Sequence, residues 1–147
     1  MKPPSFRVPL ARLGSGPILV DVGASGDPPA IWDPIASESI YVGFDPDLRE
    51  MREIKEGRFH RSYIVDKAVT WEVRVDEVPF FFTHSPYCSS LLKPDSPSLS
   101  DFLFADSFRV TREGRVRATS LGKVVSELGL GRIDWLKTDT QGADLRL

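Results

Sequence analysis

The chain has 147 residues, of which 41% are hydrophobic and 27% charged, proportions typical of an ordinary globular protein with one core. Its formal net charge of -2 excludes the strongly basic surface with which proteins usually bind nucleic acids or anionic membranes. No apolar run approaches the roughly 20 residues of a membrane span, and the single cysteine excludes an internal disulfide framework. A cytoplasmic location is therefore expected, with no nucleic-acid or membrane partner.

The first part of the chain is predicted to form a strand, a glycine turn and a short helix. Residues 1–17 are rich in proline and glycine and are expected to form an N-terminal surface extension. Ile18–Val22 is an apolar run without alternation, which is typical of a strand covered on both faces. Gly23 and Gly26 follow it and permit positive φ. Pro28–Ala36 is predicted as a helix with proline in its first turn.

Two further strands are predicted, separated by a helix. Ile40–Phe44 is the second strand, with Asp45 at its carboxyl end. A helix is expected to begin after Asp47 and to end at Gly57, and Phe59–Val69 is predicted as the third strand. This alternation indicates an α/β fold in which a mostly parallel sheet is built with right-handed crossovers.

The pattern changes after the third strand. Trp71–Thr83 alternates apolar and polar residues, as expected of an exposed antiparallel strand. Residues 85–100 are rich in proline and serine and predict a long loop of the kind that forms lids and binding surfaces. Residues 108–119 are predicted as an antiparallel hairpin insertion whose turn lies at Glu113–Gly114.

The last part of the chain predicts a helix and a fourth strand. Thr119 or Ser120 is expected to cap a helix that continues to Leu128. Arg132–Thr138 is predicted as a buried strand, and Thr140–Leu147 as the start of a further helix. Because a doubly wound sheet normally continues beyond such a strand, we expect the chain to be truncated, with its C-terminal strands missing.

Glycines after the first strand and an acid after the second, about twenty residues later, are the pattern with which a parallel sheet binds an adenosine group. Gly23 and Gly26 let the backbone approach the ligand, and the Asp45 carboxylate is expected to accept hydrogen bonds from ribose hydroxyls. Asp21 is expected either to contact the cofactor's amino group or to bond loop amides. Asp66 is expected either to reach the adenine edge or to be a surface acid.

Asp139 and Lys137, at the end of the fourth strand, are the candidate catalytic residues, because α/β sheets carry out their chemistry beyond the carboxyl ends of their strands. Asp139 is expected to take the acceptor's proton or to help hold the cofactor, and Lys137 to pair with it. The alternative is a helix N-cap and a solvated lysine. His60 and His84 are too far apart in sequence for a local metal site, and Cys88 has no CxxC partner, so no metal is predicted.

Four segments together resemble the FkbM family of S-adenosylmethionine-dependent methyltransferases: VDVGASG, GFDPD, SSLL and TSLGKVVSELGLGRIDWLKTDTQGADL. The resemblance covers residues 18–147 and implies a partial methyltransferase domain with a Rossmann-like fold. It also implies S-adenosylmethionine as the cofactor and a small-molecule acceptor, a saccharide or polyketide-type compound that is methylated on a hydroxyl. The positions that the resemblance and the glycine–acid pattern assign to cofactor binding are Asp21, Gly23, Ala24, Ser25, Gly26, Asp45, Pro46 and Asp66. The chain departs from many members at residues 24–26, where they carry an asparagine and a longer glycine turn.

Two other functions remain open at this point. A glycine turn and an acid after the second strand also suit an NAD-dependent oxidoreductase, although Asp27-Pro28-Pro29 stands where a dinucleotide fold has its third glycine. A non-catalytic α/β module is the second alternative. It predicts that the fourth strand is an exposed apolar edge, which favours a homodimer.

Overall fold

The computed structural model describes residues 16–50, 56–72 and 75–146, and these residues form an α/β fold with two sheets. The strands are β1 Ile18–Val22, β2 Ile40–Phe44, β3 Arg61–Val65, β4 Ala68–Val69, β5 Glu77–Thr83, β6 Val110–Thr119 and β7 Trp135–Thr138. The α-helices are α1 Asp33–Ala36, α2 Ser96–Leu99 and α3 Leu121–Glu127. Single 3₁₀ turns lie at Ala30–Trp32, Leu48–Glu50, Pro86–Cys88, Ala105–Phe108 and Asp144–Arg146. Most of the predicted N-terminal extension and the middle of the helix predicted after Asp47 lie outside the described residues.

The first sheet has four parallel strands in the order β3-β2-β1-β7, which confirms the mostly parallel sheet. Its central strand β1 is buried along its whole length. Successive side chains point to opposite faces, so β1 and β2 contribute to a core on each side. One core contains Val20, Val22, Val42, Phe44 and Val124, and the other contains Leu19, Trp32, Ala36, Tyr41 and Phe59.

The second sheet has the order β4-β6-β5, with β4 parallel and β5 antiparallel to β6. The predicted hairpin within residues 108–119 is wrong, because β6 runs through Glu113 and Gly114 without a turn and pairs with β5 instead. Gly114 lies opposite Phe80, and a β-carbon at this position would lie 3.5 Å from the Phe82 ring. This is an ordinary van der Waals distance, so the strand continues through Gly114 without a packing requirement for glycine.

The predicted third strand is divided between the two sheets. Its first part is β3, in the parallel sheet, and its second part is β4, in the mixed sheet. Only Asp66 and Lys67 separate the two strands. The change of direction at these two residues brings the second sheet to the carboxyl ends of the first.

Three other predictions are corrected in detail. The helix predicted for Pro28–Ala36 is a 3₁₀ turn followed by α1, and Thr140 begins a turn rather than an α-helix. The strand β7 is an edge strand and is not buried, since Trp135 is 41% and Leu136 45% exposed, as the non-catalytic alternative expects.

The helix predicted after Ser120 is confirmed as α3, and the Ser120 hydroxyl accepts a hydrogen bond from the Lys123 amide. In the described part of the chain, no helix is long and apolar enough to cross a membrane.

Candidate functional site

A cavity of about 280 Å³ lies where the carboxyl ends of β1, β2 and β7 meet the second sheet. The chain passes from β1 through β2 to β3 on one side of the sheet and returns to β7 on the other side of β1. Ligands of open α/β sheets bind in the crevice at such a reversal of strand order. The residues that line this cavity include Gly23, Ser25, Asp45, Pro46, Lys67, Phe80, Tyr87, Cys88, Ser89, Ser90, Lys137, Asp139 and Gln141.

A larger groove of about 650 Å³ lies between α2 and β6; it shares Phe108 with the cavity, but it is open to solvent and no residue from the carboxyl ends of β1, β2 or β7 lines it. Charged side chains at its rim already pair with one another, Lys93 with Glu113 and Arg109 with Asp106. We therefore take the smaller cavity as the candidate site.

The glycine turn forms one wall of the cavity. Gly23 has a φ of 80°, and a β-carbon here would lie 2.0 Å from the Asp139 carbonyl oxygen. The amides of Gly23 and Ala24 both donate to the Phe44 carbonyl oxygen, at 2.9 and 3.0 Å, and the Gly26 amide donates to Glu50. Gly23 and Ser25 line the cavity, whereas Ala24 and Gly26 are buried outside its lining and shape the turn.

Asp45 faces this turn from the end of β2. Its carboxylate is 7% exposed and accepts hydrogen bonds from the Asp47 amide at 2.8 Å and the Ser25 hydroxyl at 3.0 Å. Burial raises the pKa of Asp45 to about 6, against the lowering effect of these two donors. Each carboxylate oxygen keeps a further lone pair, so Asp45 can accept hydrogen bonds from a ligand. Pro46 continues the same wall.

Asp21 lies beneath the turn, 2% exposed, and does not line the cavity. Its Oδ1 is 2.9 Å from Nζ of Lys137, and its Oδ2 accepts a hydrogen bond from the Tyr41 hydroxyl at 3.2 Å. The same ammonium donates to the Gly23 carbonyl oxygen at 2.8 Å. Burial raises the pKa of Asp21, although the hydrogen bond and charge of Lys137 lower it.

The expected pairing of Lys137 with Asp139 is therefore wrong. Asp21 and Lys137 are register partners in the adjacent strands β1 and β7, so both side chains leave the sheet on the same face. Asp139, two residues further on, lies beyond the strand end. Lys137 thus neutralises a buried acid and holds the glycine turn in place.

Gly43 makes room for the Tyr41 ring on this face of the sheet. It is the register partner of Asp21 in β2, and a β-carbon at this position would lie 2.8 Å from the Tyr41 hydroxyl oxygen. The tyrosine leans over the glycine to reach the carboxylate. No sequence pattern marked Tyr41 or Gly43, because their role depends on the register between strands.

Asp139 lines the cavity on the side opposite Asp45. Its amide donates to the Val22 carbonyl oxygen at 2.8 Å, and its Oδ1 accepts a hydrogen bond from the Gln141 side chain at 3.0 Å. The same Gln141 nitrogen donates to the Tyr87 carbonyl oxygen at 3.1 Å. Asp139 is exposed toward the cavity mouth, so it can exchange protons with a bound molecule or with water.

Asp66 lies outside the cavity lining. It forms a surface ion pair with Arg117, as the surface-acid alternative expected. The next residue, Lys67, lines the cavity instead, because the chain changes sheets between β3 and β4.

The segment 86–90, which belongs to the predicted long loop, forms another wall of the cavity. Asp47 is 2% exposed, and its carboxylate accepts hydrogen bonds from the Arg49 guanidinium at 2.6 and 2.8 Å and from the Ser89 hydroxyl at 3.0 Å. Burial alone would raise the pKa of Asp47, but these donors lower it. The Ser90 hydroxyl donates to the Thr140 carbonyl oxygen at 2.8 Å. The loop composition predicted a binding loop, but its contacts depend on residues distant in sequence.

Among the described residues, no group of three or more His, Cys, Asp or Glu side chains is arranged to hold a metal ion. Comparison of the chain with protein-family models, with curated proteins and with solved structures gave no match. The resemblance to FkbM methyltransferases therefore stays a prediction.

Proposed function

We propose that this protein is an S-adenosylmethionine-dependent methyltransferase that methylates a hydroxyl group of a small molecule. The observation that carries the proposal is the position of the Asp45 carboxylate. It is buried at the end of β2, faces the glycine turn at the end of β1, and is linked to that turn by the 3.0 Å contact with Ser25. The order β3-β2-β1-β7 corresponds to one half of a doubly wound nucleotide-binding sheet.

The lining residues fit an adenosyl group. Asp45 offers free lone pairs to ribose hydroxyls, and the apolar side chains of Phe44, Pro46, Val69 and Phe80 provide surfaces for a purine ring. The cavity volume of about 280 Å³ is close to the lower end of the roughly 300–1,000 Å³ of small-molecule sites. A compact ligand that leaves one end at the open mouth suits this volume.

The chemistry then requires little from the protein. When bound, S-adenosylmethionine supplies a methyl group that is already activated for transfer. The chain has to hold the acceptor oxygen in line and to remove one proton, and positioning of this kind can lower a barrier by about 7–11 kcal/mol. Asp139, exposed at the cavity mouth, is the group we assign to the acceptor's proton.

Lys137 has a different part in this proposal from the catalytic one expected from the sequence. Its contacts to Asp21 and to the Gly23 carbonyl oxygen occupy its ammonium below the site. We therefore assign it to positioning of the glycine turn.

Isothermal titration calorimetry with S-adenosylhomocysteine tests the proposal. The wild type should bind, and Asp45→Asn should bind at least about tenfold more weakly, because a charged hydrogen-bond acceptor to the ribose is lost. Asp66→Asn is the matched control, since it makes the same chemical change at an exposed acid outside the cavity, and it should bind like the wild type.

Absence of binding heat and of a thermal shift with wild-type protein would overturn the proposal. NADH fluorescence enhancement in the same preparation would then favour the oxidoreductase. If neither S-adenosylhomocysteine nor NADH binds, the non-catalytic module is favoured.

A further inference from the structure

Gln141 has an unfavourable backbone conformation beside the candidate site. Its φ is +55°, and it is the non-glycine residue with positive φ in the described part of the chain. Gly142 follows with a φ of +100°, so both central residues of the turn after Thr140 have positive φ. Glycine adopts this conformation freely, whereas a residue with a long side chain is strained in it. Such strain persists where surrounding contacts impose it, and it is concentrated at functional sites.

The contacts that Gln141 makes explain why a glutamine is kept there. Its side-chain nitrogen donates one hydrogen bond to Oδ1 of Asp139 at 3.0 Å and another to the Tyr87 carbonyl oxygen at 3.1 Å. Asp139 and Tyr87 both line the cavity but come from different elements, the end of β7 and the wall 86–90. One amide therefore joins the proton acceptor to the wall beside it.

The wall is held at its other positions by separate contacts. Ser89 is bonded to Asp47 near the end of β2, and Ser90 to the Thr140 carbonyl oxygen. Tyr87, which makes the Gln141 contact, is 48% exposed, and Cys88 lies between it and these anchors. Within the wall, the Cys88 amide donates to the Ser85 carbonyl oxygen and the Ser89 amide to the Pro86 carbonyl oxygen, so loss of the Gln141 contact would free this turn to move as a unit while Ser89 and Ser90 remain bound.

We infer that Gln141 is a positioning residue that holds the wall 86–90 closed over the cavity and orients the Asp139 carboxylate toward it. The role of Asp139 in this inference rests on the proposed function. The closure of the wall does not, and it can be measured without any ligand.

The chain offers a direct probe of the wall, because Cys88 is its single cysteine and lines the cavity. The rate of Cys88 alkylation by iodoacetamide should report how often the wall opens. The variants to compare are Gln141→Gly, which removes the amide and the strain, and Gln141→Ala, which removes the amide and keeps the strain. Lys93→Ala is the control, since it removes an exposed ion pair with Glu113 near the wall without contacting it.

Both Gln141 variants should be alkylated up to about tenfold faster than the wild type, as expected when the hydrogen bond to the Tyr87 carbonyl oxygen is lost, whereas Lys93→Ala should match the wild type. In urea, Gln141→Gly should unfold no earlier than the wild type, so faster alkylation cannot result from global unfolding. S-adenosylhomocysteine should bind both variants about tenfold more weakly.

Equal alkylation rates in Gln141→Gly and the wild type would overturn the inference. If alkylation accelerates in the variants but wild-type protein shows no binding of S-adenosylhomocysteine, the wall closure stands and the proposed function fails. If ligand binding is intact in both variants despite faster alkylation, Gln141 closes the wall but does not position the site, which also overturns the inference as stated.

Discussion

Lys137 and Asp21 form an ion pair of 2.9 Å beneath the glycine turn, and the same ammonium donates to the Gly23 carbonyl oxygen at 2.8 Å. A buried acid, a lysine and a turn that lines the cavity are thus joined at one point. The stability of the sheet and the shape of the site therefore depend on the same contact.

Replacement of Lys137 by methionine should be strongly destabilising. Asp21, which is 2% exposed, would lose its cation, and breaking one side of a buried ion pair typically costs about 3–5 kcal/mol. The free energy of unfolding in urea measures the effect. The double variant Lys137→Met/Asp21→Asn should recover much of the loss, because no uncompensated charge remains. Lys123→Met, on the exposed face of α3, is the control and should change stability by less than about 0.5 kcal/mol. If Lys137→Met lowers the free energy of unfolding as little as the control does, the ion pair between Lys137 and Asp21 does not stabilise the fold.

Gly43→Ala should displace the Tyr41 hydroxyl from Asp21. The added β-carbon would lie 2.8 Å from that oxygen, and overpacking of this kind typically costs about 1–3 kcal/mol. Tyr41→Phe removes the same hydrogen bond without a clash and should cost about 1.5–3 kcal/mol, the usual range for a bond to a charged group. The double variant should lose clearly less than the sum of both changes, because the hydrogen bond to Asp21 can be lost only once, although the ring carbon Cε1, 2.9 Å from the added β-carbon, still has to move. Strictly additive losses in thermal unfolding would show that Gly43 does not act through Tyr41.

Gly23→Ala compared with Gly57→Ala separates backbone strain from packing. The φ of Gly23 is 80° and that of Gly57 is 78°, but at Gly23 the new methyl would collide, 2.0 Å from the Asp139 carbonyl oxygen. At Gly57, none of the residues that the structure describes lies within 4 Å of the corresponding position. Gly57→Ala should therefore cost about 1–2 kcal/mol for conformation alone, and Gly23→Ala distinctly more. Equal costs in urea unfolding would mean that the turn and the end of β7 are not in contact in solution.

Asp45 should make stability depend on pH in an identifiable range. Its ordinary pKa of 3.8 is raised to about 6 by burial, so the folded state binds this proton more tightly than the unfolded state. The contribution of Asp45 to the free energy of unfolding should therefore fall as pH rises from about 4 to about 6, by up to about 3 kcal/mol. Above that range it should stay constant.

The variant Asp45→Asn isolates this effect from other titrating groups such as Asp21. It should match the wild type near pH 4 and be the more stable protein at pH 7, because its neutral amide has no charge to bury. Thermal unfolding of both proteins across this range provides the measurement. If the difference in the free energy of unfolding between the wild type and Asp45→Asn is the same at every pH, Asp45 titrates in the folded protein as it does in water.

The sequence allowed the central strands to be predicted, and it placed the candidate residues Gly23, Asp45 and Asp139 at one edge of the sheet, since these follow from local patterns. The apolar run before Gly23, the acid that follows β2 and the capping serine of α3 all lie where the residue types indicated. The predictions that were wrong concern pairing between residues that are distant in sequence. Glu113–Gly114 has the composition of a turn, but in the folded chain both residues pair with β5 as part of a continuous strand.

The roles of Lys137 and Gln141 could not be read from the sequence for a similar reason. The partner of Lys137 is set by the register of β7 on β1, and the contacts of Gln141 by where the wall 86–90 lies. Neither can be deduced from neighbours along the chain. Spacing placed both residues at the correct edge of the sheet, and only tertiary structure shows which groups they bind.

The short link between β3 and β4 constrains how the cavity can open. β3 and β4 belong to different sheets, and both sheets contribute side chains to the cavity. Along the chain, only Asp66 and Lys67 lie between these two strands. A fully extended chain spans at most about 3.3–3.6 Å per residue, so this link keeps the end of β3 close to the start of β4. Any movement that widens the cavity must therefore keep these two strand ends together.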